Sequence, residues 1–165
     1  LLKVASTLNK GMDMSGHELE GSPDFFLGAV VTPAADPLAL QLIKMEKKIE
    51  AGAKFFQTQA IFEPEKFVEF INQTQRFHTP IMAGIVVLKS AAMARFMNTN
   101  VAGINVPDSI IMEMEQTRKE DRKKKAVEIA ARIIRQVKPM CQGIHLMPLG
   151  WDDLVPQIIE EAGLG

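Results

Sequence analysis

Short apolar runs alternate with amphipathic segments along most of this chain. The runs predict strands over residues 25–31, 54–59, 81–87 and 143–147, and a brief extended piece over 103–106. Periodic apolar positions predict helices over residues 1–8, 37–51, 64–77, 89–97, 118–138 and 151–162, and residues 11–23 form a glycine-rich loop without strand character. Alternating strands and helices are typical of parallel strands covered by helices, so we expect an α/β fold.

The helix predicted over residues 37–51 has marked ends. Asp36 suits the N-cap, Pro37 the first helical position, and Gly52 the left-handed residue after the last turn. An apolar stripe at helical spacing consists of Leu38, Leu42, Met45 and Ile49. This stripe predicts the side that packs on the sheet.

A polar stripe at helical spacing runs along the same helix and comprises Gln41, Lys44 and Lys48, and Lys47 lies beside it. Charged residues on an outer helix face are commonly just solvated. Lysine is also a suitable point charge for a phosphate or pyrophosphate, so the stripe is a candidate binding face. The residues alone leave both interpretations open.

The strand predicted over residues 54–59 ends in polar side chains. Gln57 and Gln59 are two residues apart, so we expect them on one face of the sheet, where both amides need hydrogen-bond partners. If that face lines a barrel near its carboxyl-terminal mouth, a ligand supplies the partners. Neighbouring strands or water are the alternative.

Composition limits the functional classes. With 165 residues, 47% hydrophobic and 24% charged, the chain is typical of a globular domain with one core. A net charge of −1 does not favour nucleic acid or a membrane surface as partner, and no apolar run approaches the roughly 20 residues that span a bilayer. The single cysteine suits a reducing compartment, so we expect a cytoplasmic protein. Three scattered histidines give no metal-binding spacing.

Several longer strings carry a family resemblance. They read Gly28-Ala-Val-Val-Thr-Pro33, Lys47-Lys-Ile-Glu-Ala-Gly-Ala-Lys-Phe-Phe-Gln-Thr-Gln59, Ala83-Gly-Ile85, Ala94-Arg-Phe-Met97 and Gly143-Ile-His-Leu-Met-Pro-Leu-Gly150. In order and spacing they resemble methylenetetrahydrofolate reductases over nearly the whole chain. The block that ends in Thr58-Gln59 is the most specific part.

The resemblance implies a flavin-dependent (β/α)8 TIM barrel, of which residues 1–165 form a single segment. That segment corresponds to the C-terminal half, about strands 5 to 8, with the N-terminal half absent. The implied reaction reduces 5,10-methylenetetrahydrofolate to 5-methyltetrahydrofolate by hydride transfer from FAD. The family's general acid lies in the N-terminal half, so we expect no catalytic residue in this segment and no turnover by it alone.

The resemblance also assigns roles to individual residues. The positions that match FAD contacts are Thr32, Gln41, Lys44, Lys47, Lys48 and Gln57. Gln59 matches the glutamine that binds the folate pterin, and Trp151 follows the last strand where it either stacks on a ring or packs on the terminal helix. His145 either faces the barrel mouth or is a hydrogen-bonded core residue.

The implied partners are methylenetetrahydrofolate, an electron donor that is either a reduced nicotinamide or a redox subunit, the N-terminal half of the barrel, and further subunits in a homo- or hetero-oligomer. Two other functions remain open at this stage. One is a non-catalytic folate- or flavin-binding subunit, and the other is a pterin-binding methyltransferase barrel.

Overall fold

Four parallel strands form one sheet, and their order in the sheet follows their order in the chain. In the computed structural model, which describes all 165 residues, these strands are β1 (Gly28–Val31), β2 (Phe55–Ala60), β3 (Ile81–Val86) and β4 (Gly143–Met147). Each connection between them contains at least one helix, as parallel pairing requires. The α/β fold with a parallel sheet, predicted from the alternating pattern, is confirmed.

Seven helices accompany the sheet: α1 (Leu2–Leu8), α2 (Leu38–Glu50), α3 (Pro64–Thr74), α4 (Ala91–Asn100), α5 (Asp108–Gln116), α6 (Arg122–Val137) and α7 (Val155–Ala162). Several are shorter than the sequence pattern predicts. Short 3₁₀ turns occupy the remaining residues at Gln75–Phe77, Lys119–Asp121, Lys138–Met140 and Asp152–Leu154. No helix combines the length and apolar character that a membrane crossing requires.

The segment between α4 and α6 differs from the prediction. Residues 103–106 form no strand, because the backbone of Val106 bonds to the side chain of Asn98, with N–H to Oδ1 at 2.7 Å and Nδ2 to the carbonyl at 2.9 Å. The next residues form α5, which the sequence analysis missed. Its buried side chains are Ile110, Ile111 and Met114, and this helical spacing was present in the sequence.

The ends of α2 are partly as predicted. Pro37, not Asp36, is the N-cap residue, and no side chain caps the helix, so the predicted Asp36 cap is wrong. At the other end Gly52 has φ 105°, as expected of a left-handed stop. Leu42 and Met45 of the apolar stripe are buried, which confirms the side that packs on the sheet.

The two faces of the sheet differ in burial. On one face Phe56 and Ala83 are fully buried beneath the helices together with Phe67 and Phe70 of α3. On the other face strand register places Val30, Gln57, Met82 and Gly143 in a row across the four strands. This second face, called here the open face, is less covered, and Val30 is 68% exposed.

A β-bulge interrupts β2 near its carboxyl end. Gln57 pairs with Met82 and Ala60 pairs with Gly84, so β2 has one more residue than β3 between these pairs. Gln57 and Gln59 therefore do not occupy equivalent positions against β3, although burial along β2 still alternates and both glutamines are half-buried between buried neighbours. Bulges re-aim side chains and are frequent next to active sites.

The hydroxyl of Thr58 holds the bulge together. It accepts a hydrogen bond from the backbone N–H of Gly84 at 2.8 Å and donates one to the carbonyl of Gln59 at 2.8 Å. Thr58 is 5% exposed, so water does not replace these bonds easily. The buried hydroxyl supplies the partner that the irregular backbone would otherwise lack.

Replacing Thr58 by valine should lower the free energy of unfolding by about 1–3 kcal/mol, because the N–H of Gly84 remains buried without its acceptor. Chemical denaturation followed by circular dichroism measures the change. The control is Thr99→Val, since Thr99 is exposed on α4 and bonds only to the carbonyl of Arg95. Equal effects of the two substitutions would contradict this role of Thr58.

Candidate functional site at the carboxyl ends of the strands

The sheet brings distant segments of the chain to one edge. Thr32 follows β1, and Gln59 is the second-last residue of β2. Lys89 lies in the loop after β3, and Trp151 lies in the loop after β4. In a parallel sheet these positions are all at the carboxyl ends of the strands. That edge is where α/β barrels place ligands, so it is the candidate site.

Gln59 has one half of its amide engaged. Its Oε1 accepts a hydrogen bond from the N–H of Ala60 at 3.2 Å, and its Nε2 makes no hydrogen bond within the chain. The residue is half-buried. The bulge thus fixes the side chain by its oxygen and leaves the two N–H groups as donors.

Gln57 has a protein partner on the open face. Its Nε2 lies 3.4 Å from Nδ1 of His145 in β4. Between them β3 contributes Gly84, which pairs with His145 and has no side chain to separate the two. Gln57 therefore has a partner within the sheet, although it comes from β4 and not from a neighbouring strand.

The polar side chains of α2 have different surroundings: some are exposed to solvent, and one bonds to the outer strand of the sheet. Lys44 and Lys47 are exposed, Gln41 is half-buried, and Lys48 donates to the carbonyl of Val30 at 2.6 Å. Val30 lies in β1, an outer strand of the sheet, so Lys48 covers an unpaired carbonyl there. Burial lowers the pKa of Lys48 from its usual value, and the nearby charge of Lys44 adds to this lowering of the pKa.

Thr32 packs against the loop that follows α4. A side chain at Gly103 would collide with Cγ2 of Thr32, and Gly103 also has φ 79°, a backbone conformation that favours glycine. The methyl group of Thr32 is therefore turned toward this loop. Its hydroxyl makes no hydrogen bond within the chain and remains an open donor and acceptor.

Two lysines flank the indole ring of Trp151. The Nζ atoms of Lys89 and Lys123 lie 5.4 Å and 5.8 Å from the ring centroid, within the range of cation–π attraction. Lys89 also donates to the carbonyl of Leu149, and Lys123 pairs with Asp153 at 2.7 Å, which lowers the pKa of Asp153. The ring is half-buried and packs against the core.

Sequence reasoning missed Lys89 and Lys123 as neighbours of Trp151. They are distant along the chain and meet it only because the loops after β3 and β4 adjoin the start of α6. No local pattern in the sequence relates these three residues.

Other parts of the surface carry less functional chemistry. The largest cleft, about 710 Å³, lies at the opposite end of the sheet beside Pro80 and Gln142, where β3 and β4 begin. No group of three His, Cys, Asp or Glu side chains is arranged to hold a metal ion. The carboxyl ends of the strands remain the candidate site.

Known proteins resemble this chain in sequence and in fold. The sequence pattern of the family described as methylenetetrahydrofolate reductase matches residues 21–163. Methylenetetrahydrofolate reductase 2 of Schizosaccharomyces pombe is 28% identical over an alignment 130 residues long that covers 72% of this chain and 20% of that protein. The chain therefore spans about a fifth of the length of this relative.

A solved structure has a similar fold. It is an uncharacterized protein from Clostridium thermocellum that binds two copies of 5-methyl-5,6,7,8-tetrahydrofolic acid. The TM-score is 0.61 with 19% sequence identity, and the match covers 86% of this chain and 54% of that one. The likeness extends over most of the chain and about half of its structural neighbour.

Proposed function

Because the chain belongs to the methylenetetrahydrofolate reductase family, we propose that it is part of a flavoprotein that reduces 5,10-methylenetetrahydrofolate to 5-methyltetrahydrofolate. The observation that carries this proposal is the family match over residues 21–163, with the specific block that ends in Gln59 at the carboxyl end of β2 and with Trp151 in the loop after β4. The folate bound by the structural neighbour supports the substrate class.

FAD is the proposed cofactor, and when bound it supplies the hydride. The residues present fit a dinucleotide: Lys44 and Lys47 are exposed cations, and the hydroxyl of Thr32 makes no bond within the chain. At 1.5 Å per residue, Gln41 and Lys48 are separated by about 10 Å along α2, a length that suits a ribose and a pyrophosphate. Lys48 keeps a second role at the strand edge through Val30.

The folate is assigned to Gln59 and Trp151. The free Nε2 of Gln59 donates to an acceptor of the pterin, while its Oε1 is held by the backbone of Ala60. The half-buried indole of Trp151 is the aromatic group proposed to contact an aromatic part of the substrate. These two residues bind and orient, and no residue of this chain is assigned as the general acid.

We assign the chain to the C-terminal half of a TIM barrel, about strands 5 to 8. The outer strand β1 supports this assignment, because Val30 on it is 68% exposed and Phe26, just before it, is 77% exposed. An apolar strand edge of this kind is usually paired or covered. The N-terminal half of the barrel would cover it and supply the general acid, so this segment alone would be inactive.

The function is tested by mixing the intact protein with 5,10-methylenetetrahydrofolate under anaerobic conditions after its bound FAD has been reduced by light. Because light reduces the flavin, the test does not depend on whether the natural electron donor is a nicotinamide or a redox subunit. We expect the absorbance of oxidised flavin to return as 5-methyltetrahydrofolate forms. Failure to bind FAD would contradict the cofactor assignment. Folate binding without flavin reoxidation would favour a non-catalytic subunit or a methyltransferase barrel.

A pair of charge-reversal variants tests the proposed cofactor face by FAD binding. Lys44→Glu should weaken FAD binding by about tenfold or more, since it places a negative charge beside the phosphates. Lys119→Glu is the matched control, because Lys119 is exposed in the turn Lys119–Asp121 and lies on no element assigned to FAD. Fluorescence quenching of FAD measures both affinities.

A further inference from the structure

The open face contains an isolated polar pair. Strand register places Gly28 beside Phe55, Val30 beside Gln57, Met82 beside Gly143, Gly84 beside His145, and Val86 beside Met147. In these rows only Gln57 and His145 have polar side chains. They come from β2 and β4, which are separated by β3.

Gly84 makes the meeting of these two side chains possible. It is the residue of β3 that pairs with His145, and any side chain there would collide with the carbonyl of Thr58. The missing side chain leaves the space in which Nε2 of Gln57 reaches Nδ1 of His145 at 3.4 Å. The bulge of β2 and this contact therefore depend on the same glycine.

The contact suits one direction of the hydrogen bond. With the amide nitrogen of Gln57 facing the ring, that nitrogen can only donate, and the geometry fits an Nδ1 of His145 that accepts and carries no proton. In a neutral imidazole the proton then resides on Nε2. The ring presents an N–H group directed away from Gln57.

We propose that Gln57 is a positioning residue that holds His145 in its Nε2-protonated form, so that His145 donates a hydrogen bond to a ring carbonyl of the heterocycle bound on the open face. The inference rests on the proposed function, since both a pterin and an isoalloxazine ring carry such a carbonyl. It differs from the direct flavin contact expected of Gln57. His145 becomes a ligand-contacting residue that the sequence left undecided.

Nitrogen NMR of the imidazole rings tests the Gln57 half of the proposal on the intact, ligand-free protein at an alkaline pH, well above the usual titration range of histidine side chains. We expect wild-type His145 to be protonated on Nε2. Gln57→Glu replaces the donor by an acceptor of the same shape, so Nδ1 should become protonated. The nitrogen signals of His145 are assigned by their loss in the His145→Gln variant. The control is His17→Ala, which should leave these signals unchanged because His17 is exposed and pairs with Asp13.

A wild-type ring protonated on Nδ1, or a Gln57→Glu spectrum identical to wild type, would overturn this half. The measurement needs neither ligand nor turnover. Its outcome is therefore separate from that of the proposed function.

Titrations with 5-methyltetrahydrofolate and with FAD, performed separately, test the ligand half. His145→Phe keeps a flat ring but removes the donor and should weaken one of the two ligands by about tenfold. His145→Gln restores an N–H near the position of Nε2 and should recover most of that affinity. Unchanged affinity for both ligands in His145→Phe would overturn the assignment, and wild-type protein that binds neither ligand would overturn the proposed function with it.

Discussion

Replacement of Gly84 by alanine should destabilise the protein by about 3 kcal/mol, the largest effect expected of any single methyl group in the sheet. The added Cβ would collide with the carbonyl oxygen of Thr58 and lie 3.1 Å from the carbonyl oxygen of Gln59. Both are backbone atoms of the bulge, so no side-chain rotation relieves the contact. Strand β2 must move away from β3, and the bond from Gly84 to the hydroxyl of Thr58 breaks.

The matched control for Gly84→Ala is Gly143→Ala in the adjacent strand β4. Both glycines lie on the open face, but the nearest atom to a Cβ at residue 143 is Cγ of Met82, at an ordinary 3.5 Å. This variant should change stability by less than about 1 kcal/mol. Thermal unfolding should separate the two variants by about 6–9 °C, and an equal midpoint for both would contradict the close approach of β2 and β3.

Gln59→Ala should weaken folate binding by about 10- to 100-fold while FAD affinity changes by less than about threefold, since only the folate is assigned to this amide. The reason is the free Nε2, whose donors are lost without a substitute. Gln59→Glu sharpens the test because it keeps an oxygen for the N–H of Ala60 and removes only the donors. It should lose folate affinity about as strongly as alanine.

The control for Gln59 is Gln73→Ala, a glutamine exposed on the surface of α3. Calorimetric titration with 5-methyltetrahydrofolate and with FAD gives both affinities for each variant. A parallel loss of both ligands in Gln59→Ala would indicate that the side chain supports the bulge and does not contact the folate.

Repeating local patterns account for the parts of the fold that the sequence predicts well. The spacing of Leu42 and Met45 gives the packed side of α2, and Gly52 marks its end, because both depend on residues within a few positions of each other. Short elements with weak ends were predicted less well. Residues 103–106 have the composition of a strand. However, the side chain of Asn98 bonds to both the N–H and the carbonyl of Val106, so these two backbone groups are not available for pairing with a strand.

Residue types and the family resemblance predicted which residues belong to the candidate site. They did not predict the contacts that these residues make with one another. Gln59 was a polar residue at a strand end, yet its free Nε2 follows from the bulge, which depends on Thr58 and Gly84 in two different strands. The cations around Trp151 come from the loop after β3 and the start of α6. The roles of Thr32, the α2 lysines and Trp151 toward ligands remain predictions.

The sequence by itself determined the α/β class, the four strands of the sheet and the membership of a family, because each depends on local periodicity or on contiguous strings of residues. Only the tertiary structure decided which polar groups meet. Gln57 reaches His145 across a strand that lacks a side chain at Gly84, and Lys48 reaches the edge carbonyl of Val30. Such pairs depend on strand register and close backbone approach, which bring together residues that no local pattern relates.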